Sequence, residues 1–143
     1  MMRVVADANV LVSAALGRSP EAPSVMALDA ALDGRLELVT SPKLLAEVAD
    51  VLGRPRLRRY LSTDEATRYV DDLAALTEQV NDPAEPHAAV CRDPRDDYLV
   101  ALARSSGAEA VVTGDLDLLA IDTNELEVEV LTPRLLVERL AAS

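Results

Sequence analysis

The chain has 143 residues, a length typical of one domain with one hydrophobic core. Hydrophobic residues make up 50% of it, but Phe and Trp are absent and Tyr occurs three times, so disorder is excluded and the core must consist of Ala, Val and Leu. The net charge of −11 excludes a broad basic face that binds nucleic acid non-specifically.

In the first half of the chain, short apolar strands alternate with helices that carry start signals. Ser41 and Pro42 form an N-cap followed by a proline at the first helical position, and Ser62 with Glu65 forms a capping-box pattern. Apolar spacing and these signals predict strands Arg3–Ala6 and Leu36–Val39, and helices Asn9–Leu16, Glu21–Leu32, Pro42–Leu52 and Ser62 to about Leu76.

The second half continues the alternation around a proline-rich loop, Asn81–Pro94. A short strand, Glu78–Val80, is predicted before this loop. The elements predicted after it are helix Arg95–Ser106, strand Ala110–Thr113, helical turn Leu116–Ala120, strand Val128–Leu131 and helix Pro133 to about Ala142. We therefore expect an α/β fold in a single domain over residues 1–143, with a parallel central sheet of about four to five strands covered by helices on both faces. Ligands of such sheets bind beyond the carboxyl ends of the strands.

Acidic residues gather at the strand-to-helix junctions that converge on that edge. They are Asp7, Asp93, Asp96, Asp97, Asp115 and Asp117. Helix capping and the helix dipole explain individual members of this set equally well. As a group, however, they repel, because two unit charges about 4 Å apart interact by about 4 kcal/mol at an effective dielectric of about 20. Such a cluster needs protonation or a bound cation.

Glu47 is harder to explain by capping, because it lies inside a predicted helix. It is three residues from Leu44 and four from Val51, so it borders the apolar face of that helix. An unpaired carboxylate there is costly unless a metal or a cationic partner compensates it. Oxygen-only ligands favour Mg²⁺ or Mn²⁺ over zinc, and such ions support phosphodiester hydrolysis.

Four segments of the sequence resemble the conserved blocks of the PIN-domain family, in the family's order and spacing. They are VVADANVLVSAAL, SPKLLAEVADVLGRPRLRRYLS, CRDPRDDYLVALARSSGAEAVVTGDLDLLAI and VEVLTPRLLVERL, which together cover almost the whole chain. The likeness is greatest to the subfamily of toxin components. It implies a Mg²⁺- or Mn²⁺-dependent endoribonuclease that acts on RNA as the toxin of a bacterial toxin–antitoxin pair. It also implies a cognate antitoxin protein and a homodimer.

The resemblance also implies a role for individual side chains. The four acids that it makes catalytic and metal-binding are Asp7, Glu47, Asp97 and Asp115, with Asp117 as a further ligand. The polar residues that it places beside them, to order the site or to contact phosphate, are Asn9, Ser13 and Thr113. Because Asp93, Asp96 and Asp97 follow one another closely, the third acid is ambiguous by a position.

The sequence contains one cluster of basic residues. Four arginines that directly follow the Glu47 helix are Arg54, Arg56, Arg58 and Arg59. Arginine forks bind phosphate well, so the cluster is a candidate contact for RNA or for an acidic segment of a partner. A solvated loop that offsets nearby acids explains it equally well.

Two alternative functions remain open. One is a phosphotransferase or receiver-like domain in which Asp7 accepts phosphate covalently, and the other is an interaction module that binds nucleic acid or protein without cutting. Asn9 weakens the first, because a haloacid-dehalogenase-like phosphatase would carry an aspartate two residues after the nucleophile. The single Cys91, and the lack of any long apolar run, predict a cytoplasmic protein with no internal disulfide and no membrane association.

Overall fold

A computed structural model of the protein describes residues 1–89, 91, 93–121 and 127–142, apart from the side chain of Asp117. Its strands are β1 (Met2–Ala6), β2 (Leu36–Thr40), β3 (Glu78–Gln79), β4 (Ala110–Val112) and β5 (Glu129–Leu131). Its helices are α1 (Ala8–Leu16), α2 (Pro23–Leu32), α3 (Pro42–Leu52), α4 (Thr63–Leu76), α5 (Pro94–Ser106), α6 (Leu116–Leu119) and α7 (Pro133–Ala142). A 3₁₀ turn at Pro55–Leu57 separates α3 from α4.

The five strands form one parallel sheet in the order β3-β2-β1-β4-β5. The central strand β1 pairs with β2 on one side, where Val4 lies opposite Leu38, and with β4 on the other, where Val5 lies opposite Val111. The direction of winding therefore changes between β1 and β4. In open parallel sheets this switch point is where ligands bind, at the carboxyl ends of the strands. Asp7 is the residue that directly follows β1 at this position.

The core consists of small and branched aliphatic side chains, as the composition predicted. Val4 and Val5 of β1 and Val111 of β4 are fully buried, because helices cover both faces of the sheet. The largest fully buried side chains come from five helices and are Leu44, Leu52, Leu73, Leu102, Leu118 and Leu136. The described core residues form one continuous cluster.

The predicted elements are confirmed in type and order, with small shifts at their ends. The capping box before α4 is formed, since Ser62 Oγ accepts from Glu65 N at 3.1 Å and Glu65 Oε1 accepts from Ser62 N at 3.0 Å. Helix α2 begins at Pro23 instead of Glu21, because the backbone of Glu21 donates to Ser19 Oγ in a preceding turn. Parts of the predicted proline-rich loop lie outside the described residues. In the described part of the chain, no helix has the length and apolar character needed to cross a membrane.

Candidate active site

A cleft of about 50 Å³ lies at the carboxyl edge of the sheet, next to the switch point. Its side chains come from the end of β1, from α3, from the start of α5 and from the turn after β4. They are Asp7, Asn9, Glu47, Asp93, Arg95, Asp96, Leu99 and Asp115. Five carboxylates and one guanidinium group thus face a cleft that has room for only a few water molecules.

Asp7 is held in place by hydrogen bonds to both of its carboxylate oxygens. Oδ1 accepts from the backbone N–H of Asn9 at 3.2 Å, which makes Asp7 the N-cap of α1, and Oδ2 accepts from Thr113 Oγ1 at 3.0 Å. The Thr113 hydroxyl is fully buried and in turn accepts from the backbone N–H of Asp115 at 3.0 Å. Thr113 therefore connects the first acid to the segment that carries the last one.

Asp96, instead of the expected Asp97, is the α5 acid in this cleft. Asp96 is 4% exposed, and its pKa is raised to about 6 by burial and by repulsion from Asp115, Asp93 and Asp7. Asp97 does not line this cleft, because successive helical residues point about 100° apart, and its role as the third acid stays a prediction. Asp97 borders a different pocket and its Oδ1 accepts from the backbone N–H of Cys91 at 2.7 Å.

Glu47 reaches the cleft from the middle of α3 and is half-buried there. Burial raises its pKa, and the charge of Asp7 raises it further, while Arg95 and Lys43 act in the opposite direction. The surroundings of Glu47 thus make its ionised form less favourable than that of an exposed glutamate.

Arg95 and Asp93 are two members of the cleft to which the sequence assigned no definite role. Arg95 Nη2 lies 3.0 Å from Asp93 Oδ2, and this pairing holds the pKa of Asp93 below its usual value. Asp93 also caps α5 through the backbone N–H of Arg95 at 2.9 Å. An arginine between acids at a helix start was the only signal for a cationic group here. Its exposed guanidinium is the positive charge nearest to the carboxylates in the cleft lining.

The remaining predicted site residues lie elsewhere. Ser13 is exposed one turn further along α1 than Asn9 and does not line the cleft. Asp117 lies in α6, and its side chain is outside the described part of the chain. The four clustered arginines follow α3 and also do not line the cleft; Arg58 is partly buried, with Nη1 3.4 Å from Thr63 Oγ1.

The chemistry of the donor set fits a hard divalent cation. The cleft offers carboxylate oxygens, which Mg²⁺ and Mn²⁺ prefer, and crowding already disfavours the charged forms of Asp96 and Glu47. In the described residues, no three His, Cys, Asp or Glu side chains stand close enough to form a ready-made ligand group. Magnesium sites commonly use one or two carboxylates and keep several waters, so a closed protein cage is not required.

The chain is similar to several known proteins. It is 27% identical to an uncharacterised protein of Methanocaldococcus jannaschii, over 96% of this chain and 90% of that protein. Its fold matches the crystal structure of PAE2754 from Pyrobaculum aerophilum with a TM-score of 0.65 at 21% identity, covering 99% of this chain and 91% of the other.

Two further solved structures carry functional names. One is VapBC2 from Rickettsia felis bound to a DNA fragment from their promoter, with a TM-score of 0.58 at 13% identity, covering 92% of this chain and 98% of the other. The second is VapC20 of Mycobacterium tuberculosis, a toxin that cleaves the sarcin–ricin loop, with a TM-score of 0.52 at 17% identity, covering 80% and 92%. At these identities the likeness shows a shared fold.

The sequence itself carries the family assignment. A sequence model of the PIN domain matches residues 3–117. That range contains β1, with Asp7 after it, and extends beyond Asp115, so every residue that lines the cleft lies within the matched segment. By this match over most of its length, and by the parallel sheet that brings its acids together, the chain belongs to the PIN domain family.

Proposed function

We propose that the protein is a divalent-metal-dependent endoribonuclease, which hydrolyses RNA phosphodiester bonds in the cytoplasm as the toxin of a toxin–antitoxin pair. The observation that carries this proposal is the crowding of carboxylates from four elements around one small cleft, with the pKa of Asp96 raised to about 6. Members of the PIN domain family are generally nucleases, which supports the reaction class.

Four acids would hold one or two cations, directly or through water: Asp7, Glu47, Asp96 and Asp115. Asp117 is proposed as a further ligand. When bound, Mg²⁺ or Mn²⁺ polarises a phosphoryl oxygen and neutralises the charge that develops on the phosphate during hydrolysis. The hydrogen bonds from Asn9 and Thr113 fix the rotamer of Asp7, so that its oxygens are already oriented toward the cleft.

Other residues of the cleft would act on the substrate. Glu47 would accept the proton of the attacking water, because its raised pKa makes it a stronger base than an exposed glutamate. Arg95 pairs with Asp93 through one side of its guanidinium and retains donors that can bind a phosphate oxygen. The phosphotransferase alternative is less well supported, because Asn9 stands where a haloacid-dehalogenase-like phosphatase would carry an aspartate.

The partners are proposed from the structural neighbours. VapBC2 and VapC20 share the fold; the first is described as bound to a DNA fragment from its promoter and the second as a toxin that cleaves the sarcin–ricin loop. We extend to this chain a cognate antitoxin protein and a homodimeric assembly. A small gene next to this one, whose product binds the protein and suppresses cleavage, is the expected antitoxin.

The test compares neighbouring aspartates in a cleavage assay with RNA and Mg²⁺ or Mn²⁺, with EDTA as the metal-free reference. Asp96→Asn should slow cleavage by at least about 100-fold, the usual loss for a group in the reacting centre. Asp72→Asn makes the same chemical change on the exposed surface of α4 and should cleave normally. Wild-type cleavage by Asp96→Asn, or cleavage that persists in EDTA, would contradict the proposal.

A further inference from the structure

Tyr60 is an aromatic side chain on the surface of a protein that has almost none. Tyr60 is 50% exposed, whereas Tyr69 and Tyr98 point into the protein and their hydroxyl groups form hydrogen bonds. Two guanidinium groups lie over its ring, that of Arg18 at 5.6 Å and that of Arg59 at 5.7 Å from the ring centroid. Arg18 comes from the connection between α1 and α2, so the fold joins two separate connections at this ring.

The arginines around Tyr60 have no acidic partner that would explain them as part of the fold. Within residues 1–89, 91, 93–121 and 127–142, no carboxylate lies within 4.0 Å of Arg18, Arg56 or Arg59. In contrast, Arg3 and Arg139 both pair with glutamates. Positive charge that is left uncompensated in a chain of net charge −11 is available for an external anion.

Two helices connect the cleft with this surface. Helix α1 is capped by Asp7 and ends at Leu16, two residues before Arg18, and α3 carries Glu47 before it ends near the arginine cluster. Nine helical residues span about 14 Å. A strand of nucleic acid held in the cleft would have to follow the length of α1 to reach Arg18.

We propose that Tyr60, Arg18 and Arg59 form a second contact site for the single-stranded RNA substrate, and this inference rests on the proposed function. A base extends the stack that Tyr60 forms with these guanidinium groups, and the adjacent phosphates bind the arginine forks. Single strands suit this surface because their unstacked bases expose both faces. Arg56, on the 3₁₀ turn that precedes Arg59, adds a further phosphate contact.

The test measures binding of a fluorescent single-stranded RNA oligonucleotide in EDTA, so that binding is separated from hydrolysis. Tyr60→Ala should weaken binding by about 5-fold to about 100-fold, the range of one base–aromatic stack, while Tyr60→Phe should bind like the wild type. Arg18→Ala should weaken binding and flatten the slope of log K against log salt by about 0.7. Arg134→Ala removes the same charge from an exposed position on α7 and is the matched control.

An oligonucleotide without bases at the contacted position distinguishes stacking from general damage. Wild type and Tyr60→Ala should bind it equally, and their melting temperatures should agree, because Tyr60 lies on the surface. Equal affinity of Tyr60→Ala and Arg134→Ala for normal RNA would overturn the inference. If the wild type binds RNA through Tyr60 but shows no metal-dependent cleavage, the proposed function fails while this contact site stands.

Discussion

In the metal-free protein, Asp96→Asn should raise the free energy of unfolding at neutral pH. The pKa of Asp96 is about 6 in the folded chain against an ordinary value of 3.8, because burial and the charges of Asp115, Asp93 and Asp7 disfavour its ionised form. The folded state therefore binds this proton more tightly than the unfolded state. The contribution of Asp96 to stability is full below about pH 4 and is lost as the pH rises through about 6.

The size of the effect follows from the shift. About two pKa units at 1.36 kcal/mol each set an upper limit of about 3 kcal/mol. Water in the open cleft screens the repulsion, so we expect a gain of about 1–2 kcal/mol at pH 7.5. At pH 4 the wild-type carboxylate is already protonated in the folded state, and most of the difference between wild type and Asp96→Asn should vanish.

The adjacent aspartate is the matched control, because Asp97→Asn should have the opposite effect. Its carboxylate accepts from the backbone N–H of Cys91 at 2.7 Å, and a charge-assisted bond is about twice as strong as a neutral one. The amide should therefore destabilise the fold by about 1 kcal/mol. Urea unfolding in EDTA at pH 4 and pH 7.5 measures both variants. No gain for Asp96→Asn at pH 7.5, or an equal gain at both pH values, would refute the reasoning.

Three further predictions concern the metal, the core and a helix end. Mn²⁺ at about a hundredfold excess over its Kd should stabilise the protein by about 2.7 kcal/mol, and Glu47→Gln should reduce this stabilisation. An unchanged wild-type melting temperature in Mn²⁺ would contradict the proposed metal site. Tyr98→Phe should lower the free energy of unfolding by about 1–2 kcal/mol, because Asp82 loses the hydroxyl group that donates to it. An unaltered midpoint of urea unfolding would show that this hydrogen bond does not stabilise the fold. Gly107→Ala should cost about 1 kcal/mol, because Gly107 has φ of 72°, whereas Gly114→Ala, with open space around it, should be close to neutral in the same thermal melts.

The order of strands and helices was predictable because their signals are local. A capping serine with its glutamate three residues later fixes the start of α4, and Gly107 fixes the end of α5. The ends of weaker elements were less predictable. The expected strand Glu78–Val80 ends at Gln79, although the backbone N–H of Val80 still donates to Thr40 O of β2 at 2.9 Å.

The position of the cleft was predictable from the sequence, but its membership was not. Carboxyl ends of parallel strands meet at one edge, which predicted that Asp7 and Asp115 lie near each other, whereas Glu47 was singled out by its position beside the apolar face of α3. The choice between Asp96 and Asp97 depends on the rotation of α5, and a one-residue difference moves a side chain by about 100°. Both lie in the first turn, where acids are common, so composition could not decide between them. The arrangement of Arg18 around Tyr60 was equally hidden, since it requires two distant connections to meet.

The pairing of β1 with β4 also has a consequence for when the cleft first exists. Thr113 and Asp7, which it brings into hydrogen-bonding contact, are 106 residues apart in the chain. As the protein is synthesised from its amino terminus, Asp7 emerges early but has no partner until β4 has left the ribosome and entered the sheet. A chain in which β4 has not yet joined the sheet thus lacks the arrangement of acids that we propose to cut RNA.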